Sequence, residues 1–210
     1  MPLPLSDETV KQNCKMATRD TGAEQLIKDT AKRIFFAEGR MNASTQDIAD
    51  AAGVTRTLLN YYFRSKEILF EQVFKEGMEE FGKGLNDVIN SDLPFKKKIE
   101  GFIEFFSSEI MQYPYRETFL ISEINAHASN LEKKEPSDFM RNFLKEIQHE
   151  MDNGIIKKMK PINFMLNIFS LMAYPTIMQP MFTKVFNVTD MQYQKLLTER
   201  KKMIIDLLFN

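Results

Sequence analysis

From Ala23 to Leu208 the apolar residues recur at intervals of three and four, and no stretch alternates with period two. A chain with that rhythm buries its apolar side chains as stripes along helices, since about 3.6 residues per turn return each third or fourth side chain to one face. Eight Gly and eight Pro among 210 residues leave little material for a loop-rich sandwich. The expected class is all-α, with about nine helices and no internal repeat. A chain of this length holds one or two domains and buries a real core.

Charge and composition exclude several functions. With 28 basic against 29 acidic side chains, no single-sign field can coat a polyanion. A hydrophobic share of 43% and a charged share of 27% are too apolar for disorder. The skew is 18 Phe and 14 Met with no Trp, a set that fills irregular apolar spaces. Cys14 is the lone cysteine, so no disulfide framework or Cys-based zinc cluster is expected, consistent with a reducing, cytoplasmic setting. The opening residues show neither the basic nor the apolar region of a signal peptide. Pro161 to Thr183 is a run of 23 uncharged residues, long enough for a bilayer. It contains Asn163, Asn167, Ser170 and Gln179, with Pro175 and Pro180 inside, so a buried or interface helix is the expectation and a membrane partner is not.

Along the chain, residues 1–20 are polar and patternless, and are expected to form a flexible arm. Ala23, Leu26, Ile27, Ala31, Ile34 and Phe35 mark a first helix that Gly39 stops. Ser44 with Asp47 three residues on reads as a capping box, and Gly53 ends that short helix. Thr55 caps a third helix to Tyr62, and Ser65 a longer fourth with its stripe at Ile68, Leu69, Val73, Phe74, Met78 and Phe81. Beyond Ser91, helical segments are expected at 95–112, 115–127, 137–153, 161–186 and 189–209. Pro94, Pro114, Pro136 and Pro161 stand near four of their starts.

Thr45 to Tyr62 has the internal spacing of a helix-turn-helix. Two helices crossing steeply need a small residue at the contact (Ala49), a turn former (Gly53) and apolar plugs (Ile48, Val54, Leu59). On spacing alone, any two short helices joined at a glycine fit as well. The flanking residues add more. Ala31, Phe35 and Gly39 are followed by Thr45-Gln46-Asp47-Ile48-Ala49, then by Ala52-Gly53-Val54, and finally by Leu59-x-Tyr61-Tyr62-Phe63-x-x-Lys66-Glu67. This ordered set resembles the DNA-binding domain of TetR-family repressors. The resemblance covers residues 26 to about 75. It implies an N-terminal three-helix DNA-binding domain with a helix-turn-helix at 21–66 and a helical ligand-binding and dimerisation domain at 67–210. It also implies a homodimer whose C-terminal domain controls operator binding. One position departs: where many relatives have the tyrosine of a Leu-Tyr pair, this chain has Leu59-Asn60, and Asn can pair with adenine through two hydrogen bonds.

The candidate base-reading residues are Gln46, Arg56, Thr57 and Asn60, with Arg56 placed to reach guanine in the major groove. Thr45, Thr55, Tyr61, Tyr62 and Lys66 are the candidates for phosphate contact. Lys66 is the more telling of these, since a lysine on a first helical turn opposes the macrodipole unless a phosphate shares the site. Residues 53–66 hold Arg56, Arg64 and Lys66 with no acid, whereas residues 1–75 carry 11 basic and 10 acidic groups, so attraction to DNA must come from a local patch. Each candidate has a plain alternative as a solvated side chain; for Tyr62 it is an inward-packed ring, and for Lys66 a lysine compensated by Glu67.

No catalytic set, metal site or cofactor motif is expected. His127 and His149 lack metal-ligand spacing, and no phosphate-binding glycine loop occurs. A ligand pocket would draw on Phe102, Phe105, Phe106, Phe119, His127, Phe143, Phe169 and Tyr174, most of which must otherwise be core. A dimer is expected through the last two long helical segments, with Leu166, Phe169, Ile177, Met203 and Leu207 at the contact. The expected function is a ligand-responsive repressor released from a palindromic double-stranded operator by an apolar or amphipathic effector. Two alternatives stay open: an all-helical carrier or enzyme with a vestigial helix-turn-helix, and a constitutive DNA-binding protein whose C-terminal part is a dimer scaffold.

Overall fold

Ten helices and no strand make up the described residues, 22–126 and 137–209, of the computed structural model. The expected N-terminal arm with Cys14, and His127, lie outside them. In chain order the helices are α1 (22–32, continuing through the π turn Arg33–Ala37), α2 (Thr45–Ala52), α3 (Arg56–Tyr62), α4 (Lys66–Ile89) and α5 (Phe95–Gln112). Then follow α6 (Arg116–Ala126), α7 (Asp138–Asp152), α8 (Pro161–Ile177), α9 (Gln179–Val185) and α10 (Asp190–Phe209). The chain divides into two compact units, one ending at Met78 and one beginning at Glu79, so that α4 contributes to both.

The first unit forms where its caps direct it. Ser44 accepts a hydrogen bond from the Asp47 N–H, and the Asp47 carboxylate accepts from the Ser44 N–H at 2.7 Å, closing the capping box. Those two Ser44 groups, with Arg40 nearby, hold the Asp47 carboxyl below its ordinary range. Gly53 adopts φ 66°, the left-handed conformation that lets α2 end and the chain turn into α3. Thr55 caps α3 by accepting from the Leu58 N–H, and Ser65 caps α4 by accepting from the Ile68 N–H. Ile27, Ile34, Phe35, Ile48, Ala49, Leu59 and Leu69 are sealed from solvent. Phe70 meets Phe35 and Phe36 edge-on, at 5.1 and 5.9 Å between ring centres.

In the second unit α8 is central, packing on α5, α7 and α10 and also touching α6 and α9. Its inward face (Phe164, Met165, Ile168 and Met172) is buried, while its other face carries exposed apolar and amide side chains and no charge. No helix among the described residues is long and apolar enough to cross a membrane. Phe102, Phe143, Phe164, Ile99, Ile147 and Ile168 form the heart of the core. Burying each of these side chains stabilises the fold by roughly 1.5–3 kcal/mol relative to leaving it exposed.

The single segment expected at 161–186 is two helices, because its prolines interrupt the backbone hydrogen bonding. Pro175 has no N–H to offer the Leu171 carbonyl, and Pro180 has none for Thr176. Helix α10 reaches this end of α8 twice: the Arg200 guanidinium donates to the Leu171 carbonyl that Pro175 leaves open, at 3.1 Å, and the Tyr193 hydroxyl donates to the carbonyl of Pro175 itself at 2.7 Å. Burial of Tyr193 raises its phenol above the ordinary value.

Elsewhere α4 and α5 approach closely. A Cβ on Gly84 would lie 2.4 Å from the Phe105 ring, which stacks on Phe81 at 5.5 Å.

Candidate nucleic-acid interface

Helices α2 and α3 pack against each other through the contact predicted from spacing, with Ile48, Ala49 and Leu59 fully buried and Val54 half-buried. That anchoring leaves α3 with a two-faced surface. Leu59 points inward, while Arg56, Thr57, Asn60 and Tyr61 are exposed as a stripe one turn apart. Tyr61 is 72% exposed, unusual for an aromatic ring, and lies edge-on to Tyr62 at 5.2 Å. Gln46, on the first turn of α2, is also exposed, and its amide donates to Asp50 at 2.7 Å. Arg64, just past α3, is exposed as well.

The residues named for phosphate contact divide. Thr55 is exposed, but its hydroxyl serves as the α3 cap; Thr45 and Tyr62 are half-buried, Tyr62 tilted against Phe63. Lys66 is half-buried, and its ammonium donates to the Met41 carbonyl at 2.6 Å, tying the loop before α2 to the start of α4. The acid beside it is engaged too. Glu67 turns its carboxylate back to its own N–H and to the Ser65 hydroxyl, which holds it below the usual carboxylate range. A lysine has three N–H donors, so the Met41 bond leaves two for another acceptor.

The residues named for a ligand pocket are mostly occupied by the protein itself. Phe102, Phe106 and Phe143 are buried in the core, and Phe169 meets Phe102 and Phe106 at 5.6 and 5.8 Å. Phe105 stacks on Phe81, and Phe119 is half-buried. Tyr174 is exposed on an apolar groove of about 420 Å³ that it lines with Phe182, Phe186, Leu196 and Met203. Among the residues named for a dimer, Leu166, Met203 and Leu207 are exposed at 57%, 52% and 61%, whereas Phe169 turns into the core.

Ile177 lines a larger cavity of about 560 Å³, walled by the end of α5, the start of α6, the α8–α9 break and α10. Sequence reasoning passed over this cavity because its polar residues, Gln179, Asp190 and Gln194, are brought together only by the α9–α10 turn. The same reasoning missed Arg116, which is 2% exposed. Its guanidinium pairs with Glu109 at 2.7 Å and Glu117 at 3.4 Å and lies over the Phe81 ring. Burial raises the Glu117 carboxyl, opposed by Arg116. Among the described residues no group of three or more His, Cys, Asp or Glu could hold a metal ion.

Comparison with known proteins agrees with this geometry. The family described as bacterial regulatory proteins, tetR family, matches residues 27–73, the span from α1 into α4. No curated protein matches the sequence. Among solved structures, a TetR family transcription regulator from Marinobacter aquaeolei is 20% identical over 91% of this chain and 98% of its own, with a TM-score of 0.55. The fatty acid degradation regulator FadR from Bacillus halodurans is 16% identical over 89% and 94%, with a TM-score of 0.60. A TetR-family transcriptional regulator from Haemophilus influenzae is 15% identical over 86% and 94%, with a TM-score of 0.51. At such identities the shared property is the fold. The N-terminal domain thus matches the tetR family of bacterial regulatory proteins over residues 27–73, and the chain as a whole shares the fold of these solved regulators.

Proposed function

We propose that this protein is a cytoplasmic, homodimeric repressor that reads a palindromic operator with α3 and leaves it when an apolar or amphipathic molecule occupies the second unit. One observation carries the DNA reading: the exposed stripe of Arg56, Thr57, Asn60 and Tyr61 on a helix whose opposite face is anchored by Leu59. In this reading Arg56, Asn60, Thr57 and Gln46 meet base edges, Arg and Asn through paired hydrogen bonds to guanine and adenine. Thr45, Thr55, Tyr61, Tyr62 and the spare donors of Lys66 hold phosphates and fix the register. The absence of acids from Gly53 to Lys66 favours that approach.

The second copy is proposed to cover the apolar stripe that α8 and α10 leave in solvent: Ile162, Leu166 and Tyr174 on one helix, Leu196, Met203 and Leu207 on the other. Paired against its symmetry mate, such a surface forms a four-helix bundle and sets two recognition helices one DNA turn apart, about 34–36 Å. An effector acts by favouring an arrangement in which that spacing no longer fits.

Fluorescence anisotropy with an operator duplex tests the DNA contact. Arg56→Ala should weaken specific binding by about 1–3 kcal/mol and relax preference at one base of each half-site. Unchanged affinity and preference would remove α3 from the interface. Sedimentation equilibrium tests the pairing: Met203→Glu or Leu207→Glu should shift a two-chain species toward one chain. A wild-type protein of one chain mass would refute the paired-half-site mechanism.

A further inference from the structure

We infer that the cavity of about 560 Å³ at the α8–α9 break is the effector site, and that its ligand is an uncharged molecule presenting a hydrogen-bond donor on an apolar body. The inference rests on the proposal of effector control and adds the place and the chemical class. The volume falls within the range of small-molecule sites, about 300–1,000 Å³.

The polar wall is oriented by a relay. The carboxylate of Asp190 can only accept, so the Gln179 amide turns its Nε2 toward Asp190 Oδ1, at 3.4 Å. That leaves Gln179 Oε1 to accept from Gln194 Nε2, at 3.3 Å. The Gln194 amide is therefore set with its oxygen directed away from the relay. That oxygen, on a residue of the cavity wall, is buried and accepts no hydrogen bond. An unpaired buried acceptor weakens the folded protein, and a rotation of the Gln194 amide that brings this oxygen to a ligand donor in the cavity relieves that cost.

The rest of the lining sets the other half of the class. Ile110, Pro114, Ile177, Pro180 and Leu197 offer an apolar wall. Lys184 and Asp190 are exposed, opposite in sign, and no buried cation or anion lines the space. With one exposed charge of each sign the wall favours neither a carboxylate nor an ammonium, and both would shed hydration against the apolar side, whereas a hydroxyl or amide N–H carries no such cost.

Isothermal titration of the full chain without DNA tests the inference with two matched sets of probes: 2-naphthol, 2-methoxynaphthalene and 2-naphthoate, and 1-decanol with decanoate. The expected result is saturable binding of at least one alcohol, about fivefold to tenfold tighter than its partner lacking a neutral donor. Gln194→Met should abolish that preference. Thr118→Trp, at an exposed position on the rim, should block binding while leaving the fold intact. Binding of neither alcohol, equal or tighter binding of the carboxylates, or an unchanged preference in Gln194→Met would overturn the inference. Release of a DNA duplex by the bound alcohol is read separately. Binding here without release would leave the site standing and remove effector control through it.

Discussion

Two glycines only two residues apart on the same helix, and so on nearly opposite faces, should respond oppositely to one methyl group. Gly82 of α4 is exposed, and a Cβ there meets nothing within 4 Å. Gly82→Ala therefore gains only the better helix propensity of alanine, about 1 kcal/mol. At Gly84 the new carbon would stand 2.4 Å from the Phe105 ring. That is about 1 Å inside van der Waals contact, so the ring must retreat. Its retreat is resisted, because Phe105 stacks on Phe81, which in turn carries the buried guanidinium of Arg116 at 4.7 Å. Overpacking of this kind costs about 1–3 kcal/mol, and the propensity gain offsets only about 1. The expected balance for Gly84→Ala is a loss of up to about 2 kcal/mol. Thermal and guanidinium unfolding followed by far-UV circular dichroism should show Gly82→Ala above wild type and Gly84→Ala below it. Each kcal/mol shifts the melting temperature by about 2–4 °C in a protein of this size. If Gly84→Ala stabilises as much as Gly82→Ala does, the close approach of α4 and α5 is wrong.

Tyr193→Phe removes the donor that satisfies the Pro175 carbonyl, and should cost about 1–3 kcal/mol in denaturant titration; no loss would mean the break in α8 does not depend on α10. Lys66→Ala should lower stability by about 1 kcal/mol through the lost bond to Met41 and, separately, make the salt dependence of DNA binding shallower by about one. A lost stability with an unchanged salt slope would confine Lys66 to holding the loop. Glu117 gives a pH test. Its folded-state carboxyl titrates above the ordinary 4.5, so its contribution is complete below 4.5 and declines as pH rises through the raised value. Stability of Glu117→Gln relative to wild type should therefore climb over that interval, and a constant difference across pH would contradict the burial argument.

Local chemistry was the legible part of this molecule. Ser44, Thr55 and Ser65 could be named as caps because each needs only the N–H groups two or three residues ahead. The buried contact of Ile48, Ala49 and Leu59 likewise follows from spacing within eighteen residues. The α8–α9 break was less legible, although Pro175 and Pro180 were both in view. A proline inside a helical pattern can kink it or end it, and the choice here depends on donors from Tyr193 and Arg200, supplied by a later helix. Lys66 shows the same limit from the other side. Its position on a first turn suggested a phosphate, yet the Met41 carbonyl that it meets lies 25 residues earlier. The relay from Asp190 through Gln179 to Gln194 left no periodic trace, because three polar residues on two helices gain meaning only when the turn between them folds.

Sequence-selective DNA binding by the helix-turn-helix within residues 27–73 is the proposal on which everything else rests. Its most direct measurement is repeated selection of duplexes from a random pool by the purified full-length protein, followed by sequencing. The expected result is enrichment of one palindromic sequence, with half-site centres about one helical turn apart and with the enrichment relaxed at one position per half-site by Arg56→Ala. A pool that stays random while the protein remains folded would contradict it.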